Sequence, residues 1–171
     1  MGGQLLITHR EIDDQYEGPS LLQALEENIA HHVITIANEN DALSIAELKK
    51  LAYGEDNDGL AKHLAITIGA SALLLMTDKI GLLDGTRFVR EIGTSDADRS
   101  RAHNYVQAAN SGNKKGGGRT KLAASIEAAN AGIDAYWARA DASLLDVLQG
   151  IEGTHFVAFD LAGRIHERKQ R

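Results

Sequence analysis

Residues 113–121 read NKKGGGRTK, with three consecutive glycines between two lysines and an Arg-Thr-Lys run. Glycine adopts backbone conformations that other residues avoid, and it lets a ligand approach the main chain closely. We expect a helix to begin at Thr120, where the free N–H groups and the dipole of its first turn favour an anion. The segment therefore predicts a phosphate-binding loop. A flexible, solvated loop is the alternative that these residues alone leave open.

Two familiar phosphate motifs do not fit this segment. A P-loop that starts at Gly112 requires lysine at position 118, where the chain has glycine, and the Gly-x-Gly-x-x-Gly pattern also fails. No serine stands in a nucleophile-elbow context, so acyl-enzyme chemistry has no support. The sequence thus favours phosphate binding through a glycine-rich, cationic segment of another type.

Three other polar clusters stand beside apolar runs. NEND at 38–41 and Thr77-Asp78 each follow an apolar run, and GEDND at 54–58 precedes a predicted helix. Ligands of open α/β sheets bind outside the carboxyl ends of the strands, so we expect these clusters on one rim together with the glycine segment. Turn residues and a helix cap are the alternatives for the first and third clusters.

None of the acidic or histidine clusters has the spacing of a metal site. A calcium loop with Gly59 in its sixth position makes Gly54 the first ligand, which excludes an EF-hand. His31 and His32 are adjacent, so their side chains point apart in a helix or a strand. We predict no structural metal site.

Short apolar runs alternate with helical patterns, which is typical of βα units around a mainly parallel sheet. The strand candidates are residues 4–8, 33–38, 72–77 and 133–138. Helices are predicted from an N-cap at Ser20, from Gly59 to Gly69, from a Ser95–Asp98 capping box toward Ala109, and from Lys121 to Ala131. The pattern predicts an α/β fold.

The composition predicts a soluble, cytoplasmic protein of one domain. The chain has 171 residues, no cysteine and a formal net charge of −6. This charge disfavours nucleic acid as the main partner, although residues 164–171 form a locally basic segment that we interpret as a solvated tail. The longest apolar run, residues 71–76, is too short to cross a membrane.

Five segments taken in order carry a family resemblance: TIANENDA, GEDNDGLAKHLA, ASALLLMTDKIGLLDG, GGGRTKLAASIEAANAGIDA and LDVLQGIEGTHF. Together they resemble the glutamate 5-kinases, the γ-glutamyl kinases of proline biosynthesis, which belong to the amino acid kinase superfamily. The resemblance runs over nearly the whole chain. The ordered set NEND, DND, LLLxTDxxGL and GGxxTK is specific, although each piece alone is weak.

The resemblance implies a three-layer αβα sandwich with a mainly parallel sheet, in which one half holds glutamate and the other holds ATP with Mg²⁺. It implies that Asp41, Asn57 and Asn38 bind glutamate and that Asp58 aligns phosphate-binding lysines. It places the nucleotide beside Thr77, Asp78, Lys115, Gly116, Gly117, Gly118, Arg119, Thr120 and Lys121, and it gives Lys121 the role of stabilising the transferring phosphoryl group.

The chain departs from the family pattern in two places. The family's leading strand, whose loop carries a second phosphate-binding lysine, and the glycine-rich substrate loop that follows it have no counterpart here. The family also has a GTGGM-type sequence before Thr-Lys, where this chain has KKGGGR. Lys114 and Arg119 add positive charge that could compensate for part of the lost lysine.

Two classes of function follow from these departures. The first is a carboxylate kinase that acts with an N-terminal portion supplied by another chain. The second is a catalytically incomplete module that binds nucleotide or a protein partner. Because the missing strands would pair with those present, an exposed sheet edge is expected, and with it a homo-oligomer or a hetero-complex.

Overall fold

The computed structural model describes residues 2–40, 57–109 and 117–160, and the chain divides into two compact units, Met1–Ile68 and Gly69–Arg171. The described elements of the first unit are β1 (Gly2–Ile7), α1 (His9–Asp13), α2 (Glu17–Ala30), β2 (Ile34–Glu39) and α3 (Asn57–Thr67). Those of the second are β3 (Ala72–Thr77), β4 (Leu83–Asp84), β5 (Arg87–Phe88), β6 (Glu91–Ile92), α4 (Asp96–Ala109), α5 (Gly117–Asn130), β7 (Asp134–Arg139), α6 (Leu144–Leu148) and β8 (Thr154–Phe156).

In the first unit, β1 and β2 pair in parallel, from Gly2 opposite Ile34 to Ile7 opposite Glu39. Ile7, Ile12 and Leu60 form its buried centre, with partly buried Leu5, Leu21, Ala37 and Leu64 packed around them. Side chains alternate across a strand, so the same two strands also present Leu6, Ile34 and Ile36 to solvent. The predicted association with another chain stays a prediction.

The start of α2 differs from the prediction. Ser20 lies inside the helix, which begins at Glu17, so it is not the N-cap. The carboxylate of Asp14 accepts the main-chain N–H groups of Tyr16 and Glu17 instead, at 2.8 and 2.9 Å. Pro19 fits in the first turn because its missing N–H has no intrahelical partner there.

The second unit is built on a sheet with strand order β3-β7-β8-β6. β3 pairs with β7 in parallel and β6 pairs with β8 in parallel, whereas β7 and β8 are antiparallel. Together with the helices, this mainly parallel pairing confirms the α/β fold class. The short strand β8 and its antiparallel pairing were not predicted, because its three residues are too few to show a strand pattern.

Thr154 of β8 links the β4–β5 hairpin to the sheet through two hydrogen bonds. Its side chain is fully buried and accepts the main-chain N–H of Leu82 at 2.8 Å, while its hydroxyl donates to the carbonyl of Val89 at 2.6 Å. Nearby, Trp137 of β7 packs on Phe156, with ring centroids 5.3 Å apart. These contacts fix the strand ends that border the candidate site.

Ser95 caps the start of α4 and pairs with Asp98, the two residues that the sequence suggests as a capping box. The main-chain N–H of Asp98 donates to Ser95 Oγ at 3.1 Å, and Ser95 Oγ donates to the Asp98 carboxylate at 2.6 Å. This hydrogen bond from Ser95 is the first cause of a lowered pKa at Asp98. Among the helices of residues 2–40, 57–109 and 117–160, none combines the length and the apolar character of a membrane span.

Candidate functional site

Two parallel strands of the second unit end side by side. Thr77 at the end of β3 is opposite Arg139 at the end of β7, and the N–H of Ala140 donates to the carbonyl of Thr77 at 3.2 Å. The Thr77 hydroxyl donates to Asp78 at 3.2 Å, and Lys79 Nζ lies 3.3 Å from the same carboxylate. The hydrogen bond from Lys79 is the main reason that the pKa of Asp78 is lowered. Asp78 is therefore an anion at neutral pH.

The glycine segment enters its helix earlier than predicted. Helix α5 begins at Gly117, so Gly117 and Gly118 are helical, and Thr120 lies in the first turn rather than at the helix entry. The first four N–H groups of a helix have no intrahelical acceptor, so those of residues 117–120 suit an anion. Lys115 and Gly116 lie outside the described residues.

The packing and direction of α5 indicate where its first turn lies relative to the strand ends at Thr77 and Arg139. The helix packs against β3, β7 and β8, and three residues link it to β7 through Gly132, whose φ is +88°. Its 14 residues span about 21 Å and the 6 residues of β7 span about 20 Å. Since α5 returns into β7, its start lies beside the end of that strand. We therefore expect the described part of the glycine segment at the same end of the sheet as Thr77 and Asp78, and their contact stays a prediction.

The buried side of α5 consists mostly of small residues: Leu122, Ala124, Ser125, Ala128 and Ala129. Lys121 lies next to this side and is half-buried, whereas Arg119 and Thr120 are exposed. Partial burial of this kind is typical of a lysine whose aliphatic stem packs against the protein. This arrangement suits contact with an anion at the start of the helix.

A pocket of about 440 Å³ opens beside the same strand ends. Apolar Ile80, Phe88 and Ile151 line it together with Arg90, Arg139, Asp141, Ala142, Glu152 and Gly153. Arg139 donates to Asp141 through two nitrogens, which raises the pKa of Arg139 and lowers that of Asp141. Sequence reasoning missed this pair. The signal that could have identified this pair is the position of Arg139 directly after a strand candidate, at a strand end like that of Thr77-Asp78.

The predicted acceptor residues lie in the first unit. Asn38 is exposed near the end of β2, and Asn57 and Asp58 are the first two residues of α3. Helix α3 packs against β2 and α1. Asp41 lies outside the described residues, so a common rim for all the clusters stays a prediction.

A pair of histidines joins α1 to the same helix α3. His9 Nδ1 lies 2.9 Å from His63 Nδ1, and His63 Nε2 lies 2.7 Å from an Asp13 carboxylate oxygen. A hydrogen bond between two Nδ1 atoms requires one donor and one acceptor, so it is lost when both atoms carry protons. Burial, followed by the charges of His63 and Lys62, lowers the pKa of His9 against the opposing effect of Asp13.

We expect α1 and α3 to lose stability as the pH falls from about 7.5 to 5.5. The pKa of His9 is lower in the folded protein than its ordinary value of 6.5, so the unfolded chain takes up the proton first and acid favours unfolding. Hydrogen exchange of residues 9–13 and 57–67 measures this loss. His9→Gln should flatten the pH dependence and exposed His31→Gln should keep it. An unchanged slope in His9→Gln contradicts the prediction.

Comparison with known proteins identifies relatives along most of the chain. A model of the amino acid kinase family matches residues 2–136. The chain is 35% identical over 167 residues to the glutamate 5-kinases of Salmonella newport and Salmonella enteritidis. That match covers 91% of this chain and 43% of each relative, so the chain spans less than half the length of these enzymes.

A solved structure with a similar fold is the carbamate kinase of Giardia lamblia bound to AMP-PNP. It has a TM-score of 0.53 and 20% sequence identity, and the match covers 81% of this chain and 44% of that one. At this identity the likeness concerns the fold alone. The fold similarity agrees with the α/β architecture and with the family match.

Proposed function

Because the chain belongs to the amino acid kinase family, we propose that it serves in ATP-dependent phosphorylation of the side-chain carboxylate of glutamate. Its relatives in Salmonella are glutamate 5-kinases, which supports this acceptor. The observation that carries the proposal is the packing of α5 on β3 and β7, which points the start of this helix toward the strand ends at Thr77-Asp78. A nucleotide site at such an edge follows the general rule for α/β sheets.

In the proposed site, the first turn of α5 receives the phosphates. Gly117 and Gly118 carry no side chain that could cover their main-chain N–H groups. Among the described residues beyond its own helix turn and chain neighbours, nothing lies within 4 Å of the place that a Cβ would occupy at Gly117. Arg119 and Lys121 supply positive charge. Lys121 stabilises the charge that develops on the transferring phosphoryl group.

Magnesium fits this site as a companion of the nucleotide. Among residues 2–40, 57–109 and 117–160, no group of three or more His, Cys, Asp or Glu side chains could hold a metal ion. Mg²⁺ commonly binds through one or two carboxylates together with substrate phosphates, and Asp78 offers such a carboxylate. When bound with ATP, Mg²⁺ neutralises charge on the phosphates.

The residues that we propose to bind glutamate, the phosphoryl acceptor, belong to the first unit. We assign glutamate binding to Asn38, Asn57 and Asp41, and we assign the alignment of the phosphate-binding lysines to Asp58. The two asparagine amides suit a carboxylate and an ammonium group because each amide both donates and accepts hydrogen bonds. A cytoplasmic location and association with another chain belong to the same proposal.

Titration calorimetry with Mg·AMP-PNP tests the nucleotide site. We expect Lys121→Met to weaken binding at least about tenfold, since charge-assisted hydrogen bonds contribute roughly 1.5–3 kcal/mol. Arg10→Met removes the same charge from an exposed position of α1 in the first unit and should leave the affinity unchanged. Equal affinities for wild type and Lys121→Met would remove Lys121 from the site.

A further inference from the structure

A chain of two hydrogen bonds joins strand β7 to the main chain of Lys121. The indole N–H of Trp137 donates to Ser125 Oγ at 2.6 Å, and the Ser125 hydroxyl donates to the carbonyl oxygen of Lys121 at 2.9 Å. Ser125 has no exposed surface and Trp137 is 6% exposed. The hydrogen bond from Trp137 is therefore shielded from competing water, which makes its loss costly, and the one from Ser125 to Lys121 is partly buried.

Trp137 is itself held firmly. It lies in β7, between β3 on one side and β8 on the other, opposite Leu75 and Thr154. Its ring packs against fully buried Phe156. The indole N–H thus has a fixed position relative to the strand ends of the sheet.

A directional contact matters for the position of helix α5 because the side chains on its buried side are small. Apart from Leu122, its buried side consists of alanines and Ser125. Burial of apolar surface is non-directional, and a face of small side chains interlocks weakly with its neighbours. The hydrogen bond from Trp137 fixes where Ser125, and with it α5, lies along the helix axis relative to β7. The hydrogen bond from Ser125 then connects this fixed point to the turn that contains Lys121.

We propose that Ser125 and Trp137 are positioning residues for the phosphate-binding turn of α5, acting through the main chain of Lys121. This inference rests on the proposed nucleotide site. It adds two residues that neither touch the nucleotide nor belong to the motif segment GGxxTK. A displacement of about 1 Å in such a group is enough to reduce the efficiency of a site by roughly a hundredfold.

A double-mutant cycle between Ser125→Ala and Lys121→Met tests the inference, with affinity for Mg·AMP-PNP measured by calorimetry on the 171-residue chain. We expect Ser125→Ala to weaken binding about tenfold when Lys121 is present and less than about twofold in the Lys121→Met background. Exposed Ser100→Ala is the matched control and should change neither affinity. A residue with only a general structural role would lower the affinity equally in both backgrounds.

Trp137 is the only tryptophan of the chain, so its emission reports on the same contact without any ligand. Ser125→Ala should shift the emission and speed hydrogen exchange of residues 117–125 at least about tenfold relative to Ser100→Ala. Unchanged exchange, or equal losses of affinity in both backgrounds, overturns the positioning role alone. A wild-type chain that does not bind Mg·AMP-PNP overturns the proposed nucleotide site and this inference with it.

Discussion

The 171-residue chain, assayed by itself, is expected to form γ-glutamyl phosphate at least about 100-fold more slowly than a full-length glutamate 5-kinase. The γ-phosphate and the attacking carboxylate are both anions, and two like charges about 4 Å apart repel by roughly 4 kcal/mol at an effective dielectric constant of 20. The family resemblance assigns their neutralisation to two lysines and a metal ion. In the 171-residue sequence, only Lys121 matches one of these two family lysines.

Trapping the product as the hydroxamate measures this reaction directly. The activity should rise when the leading, lysine-bearing segment that the family resemblance implies is taken from a glutamate 5-kinase and added in trans or fused ahead of Gly2, and Lys121→Met should abolish the gain. Robust turnover by the chain alone, lost in Lys121→Met, contradicts the prediction and assigns the second positive charge to Lys114, Lys115 or Arg119. Nucleotide binding without turnover in any combination favours the non-catalytic module.

The sequence predicts those elements best whose signal is local. The strand at residues 72–77 is observed as Ala72–Thr77, because an unbroken apolar run ends there at polar Thr77-Asp78. The predicted end of α5 is also close, since Gly132 adopts the positive φ that closes helices. The start of α5 was placed too late, because glycine is unfavourable in helix interiors. Gly117 and Gly118 lie in the first turn, where that rule is weak.

Contacts between distant residues could not be predicted. His9 and His63 are 54 positions apart, and the partners Leu82 and Thr154 are 72 apart. In the sequence, Ser125 is indistinguishable from the other small residues of an alanine-rich helix. Only the packing of α5 on β7 shows that it meets the indole of Trp137. The motif segments of the proposed nucleotide site are therefore visible in the sequence, whereas the distant contacts that support them are not.

Gly153→Ala is expected to destabilise the second unit by about 3 kcal/mol, the largest effect on stability among the variants considered. Gly153 has a φ of +77°, and a Cβ there would lie 2.5 Å from the carbonyl oxygen of Trp137. The positive φ alone costs about 1 kcal/mol for alanine. The remainder comes from moving the backbone of β7 away, which also strains Thr154 and the hairpin contacts that it makes.

Gly150→Ala separates these two causes. Gly150 has a nearly equal φ of +72°, but in the described part of the chain nothing except its sequence neighbours lies within 4 Å of the position that its Cβ would occupy. Urea unfolding followed through the emission of Trp137 should therefore show a loss of about 1 kcal/mol for Gly150→Ala and about 2 kcal/mol more for Gly153→Ala. If the two variants unfold at the same urea concentration, the contact with the Trp137 carbonyl does not limit the packing of β8 on β7.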